Sequence, residues 1–287
     1  MTNNIKGILW AFIATGLFAV VAAMAKVAVV EYHVLQILFF RQVFVFLSAL
    51  PSIRKSFPGS LKTKYPKIHG FRLGGAFIAL SCSVWAVEFL PLTTAITLGF
   101  AQVFFVAVLA FLFLEEKVGI HRMVAVVMGF LGVLVVMRPG VEGIINPYTL
   151  IPVLGALGAA VAITSVRKLS QTESTATLLA YQAIFVGLLS GIPLFWLWTT
   201  PNFEGWLLLI TMGVLATAGN WIGVKALRMG EASVVGNIEY VKLVYAAILG
   251  YFIFSEVPDA HTILGALVII ASSLYILHRE SSNRNKT

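Results

Sequence analysis

The chain has 287 residues, with 20 Lys and Arg against 12 Asp and Glu. Charged residues make up 11% and hydrophobic ones 59%, with a mean hydropathy of +0.94, which excludes a water-soluble domain, where charge runs near roughly 25%. A single cysteine, Cys82, excludes an internal disulfide, the five histidines never fall at metal-ligand spacing, and the net charge of +8 speaks for nucleic acid only if the cations cluster away from the apolar runs.

Crossing about 30 Å of hydrocarbon takes roughly 20 helical residues. Ten apolar runs of about that length follow one another, at 7–29, 34–53, 72–90, 92–114, 119–137, 148–165, 175–198, 205–227, 232–254 and 261–277. The first has no small-residue cleavage site and is expected to be a retained helix. Pro51, Pro91, Pro139, Pro201 and Pro258 fall at or between the edges of these runs, where a missing backbone donor costs little. Between the second and third runs lies the longest loop, 53–72, whose six cations can meet anionic headgroups. Trp196, Trp198 and Trp206 gather where the seventh and eighth runs meet and read as an aromatic belt.

Placing the N-terminus in the cytoplasm puts fifteen Lys and Arg on that side, among them Lys6, Lys62, Lys64, Lys117, Arg167 and Lys286. Only Lys26 and Arg138 fall opposite. That bias orients the chain by the positive-inside rule. The basic balance is therefore a topology signal, with no nucleic-acid partner implied. The expected protein is an all-α integral membrane protein of ten transmembrane helices in a cell inner (cytoplasmic) membrane, with both termini cytoplasmic.

Sliding the chain by 140 residues lays runs three to five on runs eight to ten. Glu116 then falls on Glu256 and His121 on His261. Residue identity between the halves is thin, so the repeat rests on run order and landmarks. A five-helix unit crosses an odd number of times, so its second copy enters the membrane inverted. Such repeats, here 1–140 and 141–287, recur in secondary transporters, with the substrate near the midplane between them.

The motifs at the end of each half resemble EamA-type members of the drug/metabolite transporter superfamily. In the first half they are 89–95 (FLPLTTA), 113–116 (FLEE) and 129–140 (GFLGVLVVMRPG). In the second they are 238–240 (IEY), 249–251 (LGY), 254–258 (FSEVP) and 264–266 (LGA), and Phe39, Phe40 and Arg41 also match. The resemblance implies ten helices as five plus five, and carriers for amino acids, riboflavin-like vitamins or S-adenosylmethionine. Gln102 stands where the family usually has proline, and Lys242 where it has a small or neutral residue.

Ionisable groups within a bilayer need a partner or a wet cavity. Lys242 lies near the centre of the ninth run, with Glu239 three residues earlier on the same helical face and Asn237 and Tyr240 close by. Gln102 is its partner at a shift of 140. Lys242 and Glu239 either hold a zwitterionic or anionic amphipathic substrate, with Gln102 and Asn237 supplying amides, or form an ion pair that fixes packing. Arg41 is either structural or substrate-contacting. Trp85, with Ser81 and Ser83, and Asn220 with Trp221 are candidate cavity residues, as are Tyr181 and Gln182. Glu88 and Lys225 sit near run ends and read as snorkelling.

Gly219 and Gly223 form a GxxxG pattern in the eighth run. Gly155, Gly158 and Ala159 thin one face of the sixth. No phosphate-binding loop is present, so ATP is not expected to drive the cycle, and no cofactor is implied. Glu239 is the candidate carrier of a coupled proton. The leading expectation is a secondary or facilitative transporter moving a small organic metabolite by alternating access. The rivals are an integral-membrane enzyme acting on a lipid-borne substrate and a non-transporting scaffold. The enzyme would need acids, bases or metal ligands gathered at one interface.

Overall fold

The computed structural model describes residues 3–56, 63, 65–114, 120–137, 146–169, 173, 175–229 and 238–284, and among these it is all-helical. The helices are α1 (Asn3–Ala28), α2 (Val34–Ser56), α3 (Pro66–Phe89), α4 (Leu92–Gly99), α5 (Gln102–Leu114) and α6 (Ile120–Met137). After a 3-10 turn at Pro147–Thr149 come α7 (Leu150–Leu169), α8 (Thr175–Gly191), α9 (Leu194–Leu197), α10 (Phe203–Met229), α11 (Val241–Phe254) and α12 (Ala260–Arg284). Asn237 lies outside the described residues, as do Glu116, Lys62, Lys64, Lys117, Arg138 and Lys286.

Six described segments are long and apolar enough to cross a membrane: Lys6–Ala28, Val34–Pro51, Pro66–Phe89, Leu92–Leu109, Pro147–Val166 and Phe203–Gly223. Four shorter apolar helices, Met123–Met137, Thr177–Gly191, Val241–Phe254 and Ala260–Ser272, accompany them. Phe195, Phe203 and Phe252 are each more than three-quarters exposed, an arrangement that suits lipid and not water. Helix starts follow local chemistry. Asn202 Oδ1 accepts from Gly205 N at 2.7 Å and Asp259 Oδ1 from Thr262 N at 2.7 Å, satisfying donors that the first turn leaves free. Pro193 ends the seventh run early, so α8 stops at Gly191 and a short α9 follows.

Two spans expected to be continuous are broken. Between α4 and α5, Phe100 N bonds Thr97 O and Val103 N bonds Phe100 O, each at 3.1 Å. This i→i−3 pattern tightens the chain for one turn. Thr97 Oγ1 donating to Thr93 O at 2.7 Å adds a local bend. In the second half α11 begins only at Val241, and Lys242 N bonds Glu239 O and Leu243 N bonds Tyr240 O, each at 3.0 Å. The bonds from Val103 to Phe100 and from Leu243 to Tyr240 are the same bond at a shift of 140. Glu239 and Lys242 therefore occupy a turn and the first turn of a helix, and not one face of a continuous helix.

Two helices begin or end elsewhere than expected. Pro66 opens α3 ahead of the predicted start, as proline suits a first helical position, and α2 runs to Ser56. Arg72 is accordingly no loop cation: it lies inside α3, 3% exposed. Lys26 lies in the last turn of α1, within the first apolar run.

The most extensive contacts join α3 to α7, α1 to α10, α6 to α12 and α2 to α8, and α4 also packs on α11. Exchanging α1, α2, α3, α4–α5 and α6 in order for α7, α8, α10, α11 and α12 turns α3–α7 into α10–α1 and leaves the other three pairs unchanged. Close approach comes from glycine. A Cβ on Gly158 would lie 2.7 Å from Gly75 O, and one on Gly132 3.1 Å from Gly265 O.

Candidate substrate cavity

The two helix breaks meet. The ring of Phe100, in the first break, lies 5.1 Å from that of Tyr240, in the second. Beside them is a cavity of about 510 Å³, within the size range of small-molecule sites. Its walls come from α1, α2, α3, α4, α7, α8 and α10 and from the starts of α5 and α11. Most of the lining is apolar, including Phe18 and Ala14 of α1, Ile96 of α4 and Ala156 of α7.

Seven predicted residues line this one cavity: Lys242, Glu239, Gln102, Arg41 and Asn220, with Ser83 and Gln182. Lys242 interacts electrostatically with both Glu239 and Arg41, so two cations and one carboxylate share the space. No direct Lys242–Glu239 salt bridge forms; the ion pairs among the described residues are Lys26–Glu256 and His69–Glu173. Arg41 Nε is buried without a hydrogen-bond partner. A buried, unpaired donor is costly, and here it borders a cavity in which a ligand can satisfy it.

Other predicted residues lie elsewhere. Trp85 is 47% exposed and packs edge-on to Phe89, and Trp221 is 51% exposed; neither lines the cavity. Tyr181 packs on His69, with ring centres 4.6 Å apart and planes tilted by 37°, and Tyr240 packs on Phe100 without lining the space. Of the serines, Ser83 lines it. Lys225 Nζ sits 3.8 Å from the centre of the Trp10 ring, a cation–π contact.

Gln42 and Thr15 also line the cavity and were missed by sequence reasoning. Gln42 is 3% exposed and its Oε1 has no partner. Its adjacency to Arg41 within an apolar run was the available signal. Gln182, set beside Tyr181 in the sequence, lines the cavity while its neighbour does not.

Two polar clusters flank the cavity. At one end Lys26 pairs with Glu256 and donates to Leu90 O at 2.8 Å, while Glu256 Oε2 accepts from Leu92 N at 2.8 Å. The Phe254 ring lies 5.3 Å from the Lys26 ammonium. This knot joins α1, the α3–α4 link and the α11–α12 link. Elsewhere His69 Nε2 lies 2.6 Å from Glu173 Oε2, Thr63 Oγ1 donates to Glu173 Oε1 at 2.5 Å, and Arg72 Nη2 donates to Gln182 Oε1 at 3.2 Å.

The EamA-like transporter family matches residues 5–138 and again 147–278. Among curated relatives, the S-adenosylmethionine uptake transporter of Rickettsia prowazekii is 30% identical, covering 99% of this chain and 96% of its own. The riboflavin transporter of Vibrio cholerae is 28% identical, covering 99% and 97%. The pseudopaline exporter CntI of Pseudomonas aeruginosa is 29% identical, covering 94% and 95%. A solved crystal structure, 16% identical, superposes on 99% of this chain and 100% of its own with a TM-score of 0.60, a likeness of fold alone.

Proposed function

This chain belongs to the EamA-like transporter family, and on that premise we propose that it carries an amphipathic, zwitterionic metabolite, an amino acid or related compound, by alternating access. It is a multi-pass membrane protein and a small-molecule transporter, not an enzyme. In the proposed arrangement ten helices cross the inner membrane as two inverted repeats, 1–140 and 141–287, with both termini cytoplasmic. The self-mapping helix contacts and the matched breaks support this arrangement. Substrate sits between the repeats, where discontinuous helices meet in carriers of this kind.

The observation that carries the reading is the gathering of Lys242, Glu239, Gln102, Arg41 and Asn220 around one cavity at the two breaks. Their chemistry suits a ligand with both charges: Arg41 and Lys242 face a carboxylate, Glu239 an ammonium or sulfonium, and the apolar lining the remaining body. Mutual attraction within a low-dielectric space is what makes such charges worth their insertion cost. Glu239 is also the proposed seat of a coupled proton. S-adenosylmethionine, which carries a carboxylate, an ammonium and a sulfonium, is the first ligand to test. Counterflow of the labelled compound in proteoliposomes is expected, and Lys242→Met should lower it at least tenfold at equal protein content. Unchanged transport by that variant leaves Lys242 a structural role only.

A further inference from the structure

Among the described amides that line the cavity, Gln182 alone is hydrogen-bonded to another side chain. Its partner, Arg72, comes from α3, 110 residues away. A guanidinium has donors and no acceptor, so the atom it meets must be the Gln182 oxygen. The carboxamide is therefore fixed, with its NH2 group turned away from Arg72 and left for the cavity that Gln182 lines.

Arg72 is itself held from behind. It is 3% exposed and interacts electrostatically with Glu173. Glu173 is gripped by His69 and Thr63, and the His69 ring packs against Tyr181. Yet Arg72 Nε and Nη1 are buried without partners. Packing alone does not favour an arginine that leaves two donors unmet. The bond that it does make orients a group in the transport cavity.

We propose that Arg72 is a positioning residue for substrate recognition: it locks Gln182 as a hydrogen-bond donor, so that the α8 wall reads an acceptor oxygen, a carboxylate or carbonyl, on the substrate. An amide free to flip accepts a donor or an acceptor equally. One fixed from behind discriminates, because a ligand lacking the oxygen leaves a buried donor unpaired. The inference rests on the reading of this cavity as the transport site.

Two substitutions separate positioning from packing. Gln182→Glu keeps an oxygen for Arg72, as a stronger charge-assisted bond, and deletes the NH2 donors. The variant should melt at or above the parent temperature while binding S-adenosylmethionine at least tenfold more weakly by titration calorimetry. Its preference for that compound over the decarboxylated analogue should also collapse. Arg72→Met should weaken binding several-fold, Arg72→Lys should restore part of the loss, and Arg72→Met should add nothing in the Gln182→Glu background. Parent-like affinity and preference in Gln182→Glu overturns the proposal. If the unaltered protein fails to bind S-adenosylmethionine, the substrate reading falls separately. The lock is then decided by melting temperatures of Arg72→Met, Gln182→Met and the double variant, where strict additivity overturns it.

Discussion

The α3–α7 and α1–α10 pairs occupy equivalent places when the two halves are exchanged, yet they are packed differently. Along α3–α7 the backbones touch. A Cβ on Gly75 would lie 2.6 Å from Gly158 O, and one on Gly155 2.9 Å from Cys82 Cβ. Along α1–α10 the glycines face side chains, Gly219 the Phe18 ring at 3.2 Å and Gly223 Ala14 Cβ at 3.9 Å. Both α7 and α10 carry small residues at helical spacing, but what stands opposite decides whether they form a zipper or a spacer. The first pair cannot separate or slide without losing contacts made by backbone atoms. The second has slack, and its facing residues Ala14, Phe18 and Gly223 border the cavity. At its far end α1 is held by the Lys26–Glu256 knot.

Breaking the zipper should have the largest effect. Gly158→Ala or Gly75→Ala drives a methyl group into a carbonyl, and overpacking of that kind should cost about 2 to 3 kcal/mol, read as a lower unfolding midpoint in detergent. A parent-like midpoint removes the distinction between the pairs. Lys26→Met should come next, at about 1 to 2 kcal/mol, because Glu256 keeps its bond from Leu92 but loses its cation. Glu256→Gln should cost a comparable amount, since its single amide oxygen can accept from Lys26 or from Leu92 N while its NH2 group is left facing the other donor.

The smallest effects belong to the slack pair. Gly219→Ala needs only a small shift of the Phe18 ring and should stay within about 1 kcal/mol of the parent. Gly223→Ala meets ordinary contact distance and should be neutral or stabilising by up to about 1 kcal/mol, the helix preference of alanine over glycine. A large loss at Gly223 would show that α1 and α10 approach more closely than their spacing here. Transport assays on the same variants sharpen the comparison: if slack serves movement, Gly219→Ala should slow transport while melting as the parent does.

Much of the fold was legible because lipid imposes length and hydropathy on every crossing helix. The apolar runs, their order and the small-residue faces of α7 and α10 could all be read from residue types. The breaks at Phe100 and Tyr240 could not, since Leu92–Leu109 is as apolar as an unbroken span. They arise from one turn of i→i−3 bonding, which hydropathy does not register. Arg72 was misplaced for a related reason. A cation at the edge of an apolar run looks like a loop anchor until Gln182 and Glu173, from distant parts of the chain, are brought to it.

In the cavity, deep charged and amide residues stood out against an apolar background, which is why Lys242, Glu239, Gln102, Arg41 and Asn220 were found. Trp85, Trp221 and Tyr181 were drawn in by the same polarity argument, but aromatic rings are equally at home facing lipid or packing on a neighbour. Only the position of each helix about its own axis distinguishes these cases.

The sequence by itself determined that this chain lives in a membrane, how its apolar segments are ordered, and which few polar groups need a reason to be there. Those are consequences of transfer energies, which belong to residues one at a time. The tertiary structure alone decided that two breaks meet, that Gln182 is held by Arg72 and that one pair of helices is zipped while its counterpart is slack. Each of those depends on contacts between residues far apart in the chain, and no local property of the sequence records them.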